Sequence, residues 1–421
     1  MSFTMSSVAK EKAEATRRND DHLLDRRVKG DDTRSSSGTR RGLDGATGPL
    51  HLSHDDQELK RRLTIGCVAC TSMADENRPF IKVGAGSCGT VFSVGSGIPH
   101  VYKFANPGWL DGEMGLLNDD YAHVLIIQSF ETYKLTSIKI PKHYQLLTKS
   151  HVQSLDIPNG VFLPLLHAAQ AVCNLPTHAL VTQRIWPQPD GTRDLLIEKY
   201  CADAAARAEA RSNPDNTECL VRVYLGAASS DPDLSRPTER FSLRNFRLHL
   251  DQMLALGLDV LHMAREMAAA LAIMHWAAKT DARDIEFVLG CSKVRPVHGK
   301  GRRKTEFWVL DFNQVGFMEL NDTEHGVQKA VHAATQCEPY FPRPLQKTTA
   351  EREVWNAFAR RYLATSDKIL AGEGYGELDP VFGLPRVFLN GLIEVEKNRQ
   401  NPPPVVEEKT EDVVAAALPA K

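Results

Sequence analysis

The 421-residue sequence predicts an α+β protein, with a small, mostly-β lobe followed by a larger helical one. Three observations lead there. Short runs rich in β-branched residues, broken by glycine, occupy the stretch after residue 78. The strongest helical periodicity comes later, at Asp259–Ala277. All five tryptophans (109, 186, 276, 308, 355) fall between Arg78 and Lys397, which marks where a core can be built. Strands first and helices later is an order typical of α+β architecture.

The flanks read differently. Residues 1–77 hold one aromatic, Phe3, with mixed charge runs and the Ser35–Gly38 stretch, too little apolar surface to offset chain entropy. They are expected to form a disordered arm, with a short helix around Asp55–Leu63 as its one candidate element. Asn401-Pro-Pro-Pro404 breaks structure, so 398–421 is expected to be a polar tail. Between them the expected lobes are 78–200 and 201–397.

Composition narrows the functional classes. With 51 basic and 53 acidic residues the formal charge is -2, which gives no overall electrostatic case for a nucleic-acid or membrane-surface partner. No apolar run approaches the roughly 18 residues that span a bilayer. The first residues lack an apolar signal region, and eight cysteines without one read as reduced thiols in the cytoplasm or nucleus.

Along the chain, Phe80–Val94 and His100–Phe104 read as strands around a glycine cluster, and Tyr121–Tyr133 as a helix with Leu125, Ile126, Ser129 and Phe130 on one face. Ala179–Ile185, Leu195–Tyr200 and Cys219–Leu225 read as strands, and Phe241–Leu254 as a helix. In Asp259–Ala277 the residues Val260, Ala264, Met267, Leu271 and Met274 step by four, three, four and three, a buried helical stripe that Asp259 can cap. Glu286–Leu289 and Phe307–Leu310 are short apolar runs. The basic stretch between them, Lys293–Lys304, reads either as an import or anion patch or, preferred, as a solvated insertion.

Gly84-Ala-Gly86-Ser-Cys-Gly89-Thr-Val91 fits G-x-G-x-x-G-x-V. Glycines there let backbone N–H groups approach phosphate oxygens that a Cβ would block. A dinucleotide fingerprint must open into a helix. Here Thr90-Val-Phe-Ser-Val94 and then Gly95 and Gly97 follow, so the loop joins two strands, the arrangement over ATP in kinases. Lys103 comes fourteen residues after Gly89, on a strand from which an ammonium reaches phosphates under the loop. Asp281, Arg283 and Glu286 sit at the offsets of a catalytic loop: base, basic residue, metal ligand. Val309-Leu-Asp311-Phe ends an apolar strand with an acid, costly to bury unless it binds something.

This order resembles the protein-kinase and aminoglycoside-phosphotransferase superfamily, which implies a two-lobed kinase-like fold. More closely, Gly84–Val91, Phe241-Ser-Leu-Arg-Asn-Phe246, Leu248-His-Leu-Asp-Gln-Met253, Met274-His-Trp276, Asp284-Ile-Glu-Phe-Val-Leu-Gly290 and Phe307-Trp-Val-Leu-Asp-Phe312 resemble a fungal family of unknown function whose members often carry the label "zinc finger protein". The likeness runs from about 78 to 370. That family implies no established activity; the kinase-superfamily resemblance implies ATP and Mg²⁺, with Gly84, Gly86, Gly89, Val91 and Lys103 on the nucleotide, Glu286 and Asp311 on metal, and Asp281 with Arg283 at the transferred group. Departures stand beside it: Lys279-Thr280 replaces His-Arg, Glu286 replaces Asn, Asn313 replaces Gly, no A-P-E follows, and neither Glu113 nor Glu131 is well spaced to pair with Lys103.

The expectations are therefore a phosphotransferase acting on a small-molecule or protein hydroxyl, or a degenerate pseudokinase. A non-catalytic scaffold accessory to a fungal metabolic pathway is the alternative. A zinc-dependent nucleic-acid binder ranks third, since Cys67-Val-Ala-Cys70 has no second ligand pair at finger spacing.

Overall fold

The computed structural model describes residues 52–72, 81–93, 98–108, 112–154, 163–230, 241–298, 300–320 and 325–401. Most of the expected arm (1–51), the Gly95 and Gly97 turn, and the expected tail from 402 onward lie outside the described residues. The protein is a mixed α+β fold, and among the described residues no helix is long and apolar enough to cross a membrane.

Part of the expected arm is folded. Helix α1 (His54–Leu63) is capped by Ser53, whose hydroxyl accepts from the Asp56 N–H at 3.1 Å. Acids fill its first turn and bases its last, matching the helix dipole. Leu59 and Leu63 enter the main core, and Lys199 ties Asp56 down at 2.5 Å. Strand β1 (Val68–Cys70) then pairs with a later strand. A ten-residue helix is marginal alone; docking supplies what its own sequence lacks.

Strands β2 (Ile81–Ala85), β3 (Gly89–Ser93) and β4 (His100–Ala105) precede helix α2 (Met114–Thr132). This helix starts seven residues before the expected Tyr121. After β5 (Ile138–Lys139) come β6 (His143–Leu147), α3 (Lys149–Ser154), α4 (Leu163–Gln170) and β7 (Ala179–Gln183). One antiparallel sheet has the order β2-β3-β4-β7-β6. Its core is small: Phe92 and Phe104 meet edge to face at 6.1 Å and are covered by Leu165 and Ala169 of α4.

Helices α5 (Asp190–Tyr200) and α6 (Ala204–Ser212) lead to β8 (Val221–Tyr224), β9 (Phe246–His249) and α7 (Leu250–Leu256). Two expectations fail here. Leu195–Tyr200 is helical, because the buried positions Thr192, Arg193, Leu196 and Ile197 follow helical spacing after Pro189. Phe241–Leu254 is not one helix, because Phe246–His249 extends alongside β8 as a parallel neighbour and helix begins only at Leu250.

Helix α8 (Val260–Trp276) is capped by Asp259 as expected and is buried on all sides from Met267 to Trp276. It packs along α10 (Thr349–Gly372); α11 (Pro380–Gln400) packs on α10, and α9 (His325–Gln336) on α11. Strands β10 (Glu286–Val297) and β11 (Lys300–Leu310) form one long antiparallel hairpin from Glu286↔Leu310 to Val297↔Lys300. The basic stretch expected as a loop is therefore strand, its backbone groups paired across the hairpin and, through Arg302–Lys304, to β1. The second sheet has the order β1-β11-β10-β8-β9, with β5 parallel to β11.

Candidate functional site

The two sheets meet at a cleft of about 240 Å³. Gly84, Gly86, Gly89, Val91, Lys103, Glu286 and Asp311 all line it, although Lys103 and Asp311, which touch there, are 208 residues apart in the chain. Asp281 and Arg283 stand outside the lining.

The glycine loop is a β2–β3 hairpin, with Gly84 opposite Val91 and Ala85 opposite Thr90. Asn106 fastens it: its amide donates to the Gly86 and Ser87 carbonyls at 2.8 and 3.1 Å and accepts from Thr90 Oγ1 at 2.9 Å. The glycines differ in what demands them. A Cβ on Gly89 would lie 2.8 Å from the Phe104 carbonyl and 2.9 Å from Lys103 Cγ, so the fold itself requires glycine. A Cβ on Gly84 would make ordinary contact with Val91, and one on Gly86 would meet nothing nearer than 4.0 Å. Among the described residues nothing excludes a side chain at Gly86.

Beneath the loop, Lys103 Nζ lies 2.7 Å from Asp119 and 2.9 Å from Asp311. Burial would lower the Lys103 pKa, but the two carboxylates outweigh it and hold the group well above its ordinary value. Asp119, only 4% exposed, also accepts from the Phe312 N–H at 3.2 Å. Its neighbour Asn118 donates to the Asn313 and Val315 carbonyls at 3.0 and 2.9 Å. Helix α2 thus grips the turn leaving β11 while its Asp119 holds the β4 lysine. Gly115 on the same helix abuts Cys88 of the glycine loop, where a Cβ would come within 2.7 Å. Burial pushes the Cys88 thiol up to about 11, so it is a neutral wall group.

The sequence missed Asp119. It stands on the buried stripe of α2 with Leu116, Ala122, Ile126 and Phe130, and a lone acid on an apolar stripe was the available signal.

At the other end, Arg222 from β8 pairs with both Glu286 and Glu338. Burial pushes Glu286 up to about 8 while Arg222 pulls down, and Asp311, Glu338 and Asp284 add to the rise. Asp281 is held elsewhere, outside the cleft lining. Its Oδ1 accepts from the Gly316 and Arg283 N–H groups at 2.7 and 3.0 Å, and burial raises its pKa. The Arg283 side chain is exposed. Lys279, Ala282, Asp284 and Asp311 all hold φ between 52 and 66° without being glycine, a concentration of strained backbone at this junction.

Val83, Val91 and Val101 line the cleft from the first sheet, Leu310 from the second and Leu220 from just ahead of β8, giving it an apolar lining beside the charged groups. Among the described residues no group of three or more His, Cys, Asp or Glu is placed to hold a metal ion. Cys67 lies just ahead of β1 and Cys70 closes it.

The model of a domain-of-unknown-function family described as "Zinc finger protein" matches residues 307–374. That stretch runs from the end of β11 through α10 and contains one cysteine, Cys337, and two histidines, His325 and His332. No curated protein and no solved structure matches the chain.

Proposed function

We propose that this is a kinase-like protein, with the five-stranded sheet as its small lobe and the helical part as its large one, that binds a purine nucleotide in the cleft between them. The observation that carries the reading is Lys103 bridging Asp119 and Asp311 under the glycine loop. An ammonium so held is a fixed positive charge where polyphosphate would lie. Gly86 supports it, since no atom of the described residues requires a glycine there and a closely approaching phosphate would. The valine and leucine lining suits a flat base.

The Mg²⁺ expected with such a nucleotide would supply charge neutralisation at the phosphates, and the oxygen donors at the Asp311 end of the cleft fit it. Lys103 would orient the α- and β-phosphates, and the β2–β3 loop would exclude water above them.

Of the two forms of this reading, binding without transfer is the better supported. Transfer to a small-molecule or protein hydroxyl requires a carboxylate at the acceptor, and Asp281 is engaged by the Gly316 and Arg283 amides outside the lining. A scaffold role accessory to a metabolic pathway is compatible with that form.

Thermal melting tests the reading. ATP with Mg²⁺ should raise the Tm, because a ligand that binds only the native state stabilises it. Lys103→Met and Asp311→Asn should remove the ligand-induced rise, whatever they do to the baseline Tm. No rise in the wild type sinks the proposal. Phosphate release or labelled transfer would restore the catalytic form.

A further inference from the structure

We propose that Asn313, rather than Glu286, joins Asp311 in holding a divalent cation against the phosphates of the bound nucleotide. The inference rests on the cleft being a nucleotide site.

Asn313 lies two residues beyond Asp311, in the turn that leaves β11. Its carbonyl is fixed by Asn118 at 3.0 Å, which sets the turn. The side chain lines the cleft and is 8% exposed, yet its Oδ1 has no hydrogen-bond partner among the described residues. Leaving a buried amide oxygen unpaired is destabilising, and native proteins keep few of them. An oxygen acceptor beside a carboxylate is the donor set a hard cation takes. Mg²⁺ keeps several waters and needs only one or two protein oxygens beside the phosphates. Asp311 commits Oδ1 to Lys103, and its side chain is 30% exposed, so carboxylate surface remains on the cleft side.

Glu286 is placed otherwise. Arg222 holds it and Glu338 together on β8, so its charge is already met by a buried guanidinium. A cation seated on Glu286 would stand against that positive charge or have to displace it. The same contrast accounts for an asparagine at a position where a glycine would suffice for the turn: Asn313 is not among the residues with positive φ.

The test is ATP affinity by calorimetry in Mg²⁺ and in EDTA. Wild type should gain about tenfold or more from Mg²⁺. Asn313→Leu, similar in volume, should lose most of that gain while its affinity in EDTA stays within about twofold of wild type. Asn313→Asp and Glu286→Gln should both keep the gain. Asn313→Leu retaining the full gain, or Glu286→Gln abolishing it, overturns the inference. Wild type binding ATP equally well with and without Mg²⁺ also overturns it but leaves the nucleotide reading standing. Wild type failing to bind ATP in either condition ends both.

Discussion

The five-stranded sheet and the helical part differ sharply in how they are held. The sheet folds over a small cluster around Phe92 and Phe104. The helical part shares one continuous core from Leu59 to Ile393, with the Met267–Trp276 half of α8 buried in its middle. Helix α2 belongs to both. Leu116 packs with Ala105 and Leu180 of the sheet, whereas Ala122, Ile126 and Phe130 join the main core. The cleft lies where this single helix spans the two, and the buried acid of the helix, Asp119, sits at the crossing.

Breaking the crossing should have the largest effect. Asp119→Ala leaves a buried ammonium with one partner fewer and frees the Phe312 N–H, and should cost about 3–5 kcal/mol in urea denaturation. A loss under about 1 kcal/mol would mean that α2 does not tie the regions through this residue.

The comparison itself is tested by a matched pair of truncations. Phe104→Ala and Phe358→Ala should each cost about 3–5 kcal/mol, since both side chains are fully buried. Hydrogen exchange should separate them. Phe104→Ala should speed exchange in β2, β3, β4 and β7 while α8 stays protected, and Phe358→Ala should expose α8. Equal acceleration everywhere after Phe104→Ala would show one cooperative body.

Acid should act on the strongly held region first. His275 is fully buried, hydrogen-bonded to the Tyr362 hydroxyl at 2.7 Å, and burial pushes its pKa down to about 3. The unfolded chain takes up a proton near about 6.5 that the folded one refuses. The contribution is fully present above that value. It falls away as pH drops from about 6.5 toward 3, at up to about 1.4 kcal/mol per pH unit. His275→Phe should flatten this slope; an unchanged slope would place the acid sensitivity elsewhere.

The glycine loop sharpens the picture with the smallest effects. Gly89→Ala should destabilise by about 1–3 kcal/mol, because its Cβ would press on the Phe104 carbonyl. Gly86→Ala should stay within about 0.5 kcal/mol of wild type, yet weaken the ATP-induced rise in Tm. A Gly86→Ala that binds ATP normally would remove the phosphate explanation for that glycine.

Some of this was legible from residue order. The glycine loop between two strands, the Asp259-capped helix and the apolar runs ending at Leu289 and Leu310 all carry local signals, in turn chemistry, capping and periodicity, and each forms where the sequence places it. Lys103 and Asp311 were candidates from spacing alone. What the chain did not disclose depends on partners distant in sequence. The 246–249 strand exists because β8 offers an edge, the basic stretch is strand because its two halves pair, and α1 is stable because a core receives Leu59 and Leu63.

The sequence by itself determined the α+β class, the strands carrying the glycine loop and Lys103, and the charge balance, because these follow from local propensity and composition. Tertiary structure decided which charges meet. It gave Lys103 to Asp119, Glu286 to Arg222 and Asp281 to the Gly316 amide, since ion pairing depends on distance in space and the chain fixes distance only along itself.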